Sequence, residues 1–133
     1  MQLKKLLTLV LPVIIGGAAE AQDIPRYTTF EVSLTTSNTY SNSHTGVQLS
    51  GTFTGPTKTI VIEGFWNGAN SWKIRMAPTE PGAWTYTTSS NDNQLNSKSG
   101  GFTCIPSAER GFLRINPAYP TTFMWDNGEP FFF

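Results

Sequence analysis

The sequence predicts an all-β fold, an immunoglobulin-like antiparallel β-sandwich of about seven to nine short strands, on three observations. Apolar and polar residues alternate with a period of two in run after run, turn signals punctuate those runs at short spacing, and no stretch shows helical periodicity.

The first run is Phe30–Leu34, in which Phe30, Val32 and Leu34 share one face and Glu31 and Ser33 the other. Val47, Leu49, Gly51 and Phe53 repeat the pattern against Gln48, Ser50 and Thr52. Trp72, Ile74 and Met76 do so against Lys73 and Arg75, and Trp84 and Tyr86 against Thr85 and Thr87. Leu113 and Ile115 flank Arg114 in the same way. Each such strand can bury one face and wet the other, as strands of antiparallel sheets do. Between them lie Gly55-Pro56, Asn67-Gly68, Pro81-Gly82, Gly100-Gly101 and Asn127-Gly128. Pro81-Gly82 suits the centre of a type II turn, because proline presets the first φ and glycine accepts the positive second one. Residues 89–100, rich in Ser and Asn, read as a solvated loop.

Ahead of the strands, residues 1–21 read as a signal peptide. Lys4 and Lys5 supply the positive start, Leu6–Ala19 the apolar stretch, and Ala19-Glu20-Ala21 the small-x-small cleavage pattern. The apolar stretch contains Pro12 and is shorter than the roughly 20 residues a membrane helix needs. The expectation is therefore cleavage after Ala21, a secreted or periplasmic location, and no stable membrane insertion afterwards. Beyond Ala21 there are eight acidic and seven basic residues, a net charge of −1. With no basic stripe, nucleic acid is not an expected partner. Cys104 is the single cysteine, so no intrachain disulfide can form. Its place beside Phe102 in an alternating pattern predicts a small buried core residue.

Residues able to carry chemistry are few. Glycoside hydrolysis needs two carboxyl groups facing each other about 5–10 Å apart, and the acids here are scattered over turns and polar strand faces. His44 lies in a polar loop without metal-spaced partners. Asp92-Asn93 lacks the alternating oxygen ligands of a calcium loop. No catalytic residue, metal site or cofactor is expected. Trp72 and Trp84 share faces with apolar neighbours and are assigned to the core. Trp66, beside Asn67-Gly68 at a strand end, is the one candidate for sugar contact, with packing under a loop as its other reading.

Four stretches in order, Phe65-Trp66-Asn67-Gly68, Trp72-Lys73-Ile74-Arg75, Glu80-Pro81-Gly82-Ala83-Trp84-Thr85-Tyr86 and Gly101-Phe102-Thr103-Cys104, resemble the β-sandwich known as domain of unknown function 5060. That domain precedes an apiosidase-like (β/α) barrel in secreted bacterial glycoside hydrolases. The resemblance covers most of residues 27–133. It implies a non-catalytic accessory domain that packs on the catalytic barrel, its partner within the same polypeptide, while the barrel carries the catalytic groups on its own loops. Two other functions fit a secreted sandwich: a stand-alone carbohydrate-binding module, with polysaccharide as partner, and a structural or adhesive domain.

The segment Asp126-Asn127-Gly128-Glu129-Pro130-Phe131-Phe132 resembles the family's lead into the first barrel strand. Asn127-Gly128 is a two-residue hairpin signal, and the apolar run after it reads as a strand buried on both sides. The expected division is thus 22–118 for the sandwich and 119–133 for a hairpin entering a barrel that lies beyond this sequence. Trp125, Phe131, Phe132 and Phe133 are the expected domain-interface residues.

Overall fold

The computed structural model of the chain describes residues 21–132. Residues 1–20, which hold nearly all of the expected signal peptide, and Phe133 lie outside the described residues. The architecture is all-β: two facing sheets form a sandwich, and a small third sheet adjoins it.

The larger sheet has the order β1-β8-β7-β3-β4, from β1 (Gln22–Pro25), β8 (Ser99–Ile105), β7 (Gly82–Ser90), β3 (Leu49–Thr54) and β4 (Thr59–Glu63). The smaller has the order β2-β6-β5, from β2 (Phe30–Thr35), β6 (Ser71–Met76) and β5 (Phe65–Trp66). Their inner faces supply the core. Phe30, Val32, Trp72, Ile74 and Met76 meet Leu49, Phe53, Trp84, Phe102 and Cys104, all buried. Phe30 sits at the centre, with its ring 4.1 Å from that of Phe102 and edge-on to Phe53. Burying such side chains contributes roughly 1.5–3 kcal/mol each, which is how a chain without a disulfide holds this fold. Cys104 is buried as its alternation predicts.

Three features depart from the expectation. β1 pairs with β8 in parallel, Ile24 opposite Cys104; a parallel neighbour needs a long connection, and here the whole sandwich intervenes. A four-residue helix, α1 (Ser43–Gly46), is capped by Asn42, whose side chain accepts the His44 N–H at 3.0 Å. The loop between β7 and β8 is not wholly solvated, because it inserts Asp92 and Leu95 into the interior.

The third sheet contains β9 (Leu113–Ile115), β10 (Phe123–Trp125) and β11 (Pro130–Phe131), in the order β11-β10-β9. β9, on the sandwich side of the division expected at residue 118, hydrogen-bonds to β10 rather than to either sandwich sheet. Tyr27 joins this sheet to the sandwich: its N–H donates to the Pro78 carbonyl at 2.8 Å and its ring meets Phe112 edge-on at 5.8 Å. Gly111 permits the approach, since a Cβ there would lie 2.6 Å from the Asp126 Cβ and 2.7 Å from the Tyr27 ring.

Candidate functional site

Strand register defines the site. In an antiparallel pair, directly opposed residues project from the same face, and so do residues two apart. Ile115 is opposite Phe123, Phe123 opposite Phe131, and Leu113 opposite Trp125. Leu113, Ile115, Phe123, Trp125 and Phe131 therefore line a single face of the third sheet, every one of them apolar.

The opposite face carries Arg114, Met124 and Pro130 by the same register. Arg114 Nε donates to Asp126 Oδ1 at 2.5 Å, and the Phe112 N–H donates to Oδ2 at 3.0 Å. The Arg114 guanidinium holds the Asp126 carboxyl below its ordinary pKa, and the Phe112 N–H adds to this, against the upward push of burial. Polar contacts thus brace the side of the sheet that adjoins Tyr27.

The apolar face, in contrast, is open. Leu113 is 42% exposed and Ile115 64%, with Phe123 also exposed and Trp125 and Phe131 half-buried. The alternation of Leu113 and Ile115 predicts a buried face, and the structure leaves both in contact with solvent. Their strand has left the sandwich, so among the described residues no second sheet covers Leu113 and Ile115. Of the expected interface residues, Trp125 and Phe131 join this face, their rings edge-on at 5.6 Å. Phe132, just beyond β11, is 81% exposed, and Phe133 is outside the described residues. Ile115, Leu113 and Phe123 belong to the site too; pairing Leu113-Arg114-Ile115 with Phe123-Met124-Trp125 was the signal that could have found them.

Trp66 lies apart, on the inner face of β5 opposite Trp72. Its indole Nε1 donates to the Ala69 carbonyl at 2.8 Å, and the His44 ring meets it edge-on at 4.8 Å. It is half-buried beneath α1. Among the described residues no group of three His, Cys, Asp or Glu side chains is placed to hold a metal ion.

Fold and site together define a β-sandwich module with an appended three-stranded sheet, one face of which is apolar. The family model for a domain of unknown function, DUF5060, matches residues 23–91, and the chain belongs to that family. The fold is also similar to the crystal structure of a candidate glycoside hydrolase from Bacteroides vulgatus, with 26% identity over 84% of this chain and a TM-score of 0.74. The chain spans 21% of the length of that protein. No curated protein matches the sequence.

Proposed function

We propose that the chain is the non-catalytic, N-terminal accessory domain of a secreted glycoside hydrolase, docked on an apiosidase-like (β/α) barrel that follows it in the same polypeptide. The observation that carries this reading is the exposure of Leu113 and Ile115 on the apolar face of the third sheet. Contiguous exposed apolar surface marks an interaction site, and this one is formed by β9, β10 and β11, outside the two sandwich sheets. The likeness to a much longer candidate glycoside hydrolase supports the same reading. In this proposal residues 1–21 are removed on export, residues 22–118 form the sandwich, and residues 119–133 lead into the barrel.

The test is the reading frame downstream of the Phe133 codon. It is expected to continue into alternating strands and helices bearing a pair of acidic residues at strand ends. A stop codon there in an intact genomic region overturns the proposal.

A further inference from the structure

Two Asn-Gly pairs lie in turns of this chain, Asn67-Gly68 between β5 and β6 and Asn127-Gly128 between β10 and β11. The dipeptide is chemically labile. Glycine has no Cβ to obstruct the approach of its backbone nitrogen to the preceding carboxamide, and it adopts conformations closed to other residues. Whether such a pair reacts depends on what holds its two reacting groups, and the two turns hold them differently. We infer that Asn67 is a site of spontaneous deamidation, with the Gly68 nitrogen as nucleophile and water as co-reactant.

At Asn127 both groups are engaged. Asn127 Oδ1 accepts the Glu129 N–H at 3.0 Å, and the Gly128 N–H donates to the Trp125 carbonyl at 2.9 Å. Reaction there breaks both bonds, because the amide must give up its proton and the carboxamide must turn toward it. At Asn67 neither group is held: its carboxamide and the Gly68 N–H have no hydrogen-bond partner among the described residues. Asn67 is exposed, and a Cβ on Gly68, at φ +95°, would meet nothing within 4 Å, so the turn is uncrowded. The bonds that fix this turn use other atoms. The Asn67 N–H donates to the Ser71 carbonyl at 2.8 Å, and the Ser71 N–H donates to the Gly68 carbonyl at 3.0 Å.

The chemistry balances with water alone. The Gly68 N–H loses its proton to solvent, the nitrogen bonds to Asn67 Cγ, and the Cγ–Nδ2 bond breaks to release ammonia, which takes a proton back. Water then opens the cyclic imide. Attack at Cγ breaks the new N–Cγ bond and leaves aspartate. Attack at the Asn67 main-chain carbonyl breaks the original peptide bond and leaves isoaspartate, whose link to Gly68 runs through Cβ and Cγ. Either product adds a negative charge, and isoaspartate also lengthens the main chain by one carbon at this point. β5 is only two residues long, and the Trp66 indole is tied to the same turn through the Ala69 carbonyl at 2.8 Å. The longer link therefore loosens the end of β5. This inference is independent of what covers the third sheet.

Peptide mapping by mass spectrometry of the full chain, held folded in mildly alkaline buffer for several weeks, tests it. The tryptic peptide 59–73, which contains Asn67, is expected to gain one mass unit and to split into aspartyl and isoaspartyl forms, the second labelled by an isoaspartyl methyltransferase. Fragment ions should place the change at Asn67. Asn127, in peptide 115–133, is expected to react about tenfold more slowly, the effect of one net hydrogen bond on the barrier. In urea the bonds around both pairs are gone, and the two rates should converge. Asn67→Gln, which keeps an amide but requires a larger ring, should leave the mass of peptide 59–73 constant and the melting temperature unchanged. No gain at Asn67, or a rate at Asn127 in the folded chain equal to or above that at Asn67, overturns the inference.

Discussion

Asp92 shows how much one side chain can organise. It is 2% exposed, yet it is a carboxylate with donors on every side. Thr36 Oγ1 at 2.8 Å, Asn38 Nδ2 at 3.1 Å and Tyr40 Oη at 2.5 Å all donate to Oδ2, and the Gln94 N–H donates to Oδ1 at 2.7 Å. Burial alone would raise its pKa; the Tyr40, Thr36, Gln94 and Asn38 donors outweigh it and hold the group at about 2. The residue ties the segment after β2 to the loop after β7. Asp92→Asn replaces an acceptor oxygen with a donor, and about 2 kcal/mol should be lost in urea unfolding at pH 7. The acid dependence follows from the same shift. The folded pKa lies below the ordinary 3.8, so the stabilisation is full above that value and disappears as pH falls from about 4 to 2. Glu31 has the same sign, brought to about 2 by Lys73 first and Arg75 second. Urea midpoints measured from pH 6 to pH 2 should therefore fall less steeply in Asp92→Asn than in the parent, with Glu31→Gln removing a separate share. Equal acid slopes in Asp92→Asn and the parent would contradict this account.

At the level of elements, the strands whose alternation is continuous were legible. Trp72, Ile74 and Met76 are buried as their spacing predicts, and so are Leu49, Phe53 and Trp84. Turns were legible in place more than in type. Asn127-Gly128 does join β10 to β11, but the Gly128 N–H donates to the Trp125 carbonyl and the Trp125 N–H to that of Glu129. The loop is Asp126-Asn127-Gly128, with only Gly128 at positive φ, +90°. This is the three-residue hairpin with glycine at the left-handed position, not a two-residue one. The dipeptide is compatible with both, and the residues flanking it decided. Gly55, at the end of the β3–β4 hairpin, was read only as a turn residue. In the structure the Trp84 indole covers it, and a Cβ would lie 2.6 Å from two ring carbons. Trp84 is fully buried, and its Nε1 donates to the Glu80 carbonyl at 3.0 Å, so the ring cannot step aside. Gly55→Ala is expected to lower the unfolding free energy by about 1–3 kcal/mol, the usual effect of overpacking. A chemical denaturation curve with an unchanged midpoint would show that the hairpin end yields instead.

For the molecule as a whole, sequence pattern revealed the sandwich but not the third sheet. Alternation reports that a strand has an apolar side; it does not report whether a second layer covers that side. Leu113-Arg114-Ile115 reads like any sandwich strand, and only its pairing with β10 shows that its apolar side is open. Nor could the Ser- and Asn-rich composition of the β7–β8 loop reveal a buried carboxylate, because the side-chain donors to Asp92 come from more than 50 residues earlier in the chain. The open face has a consequence for the chain by itself. Without a covering domain, Leu113 and Ile115 remain largely in water, and burying them between two copies recovers free energy at roughly 25 cal/mol per Å² of apolar area. Self-association that grows with protein concentration is expected in sedimentation velocity. Ile115→Lys places a charge on the edge strand of the face, next to Phe123. Because Ile115 is 64% exposed, that change should move stability by no more than about 0.5 kcal/mol. The variant is thus expected to melt like the parent and to sediment as a monomer at concentrations where the parent does not. A parent chain that stays monomeric at every concentration would mean that this face is too small, or too well solvated at its rim, to hold a partner.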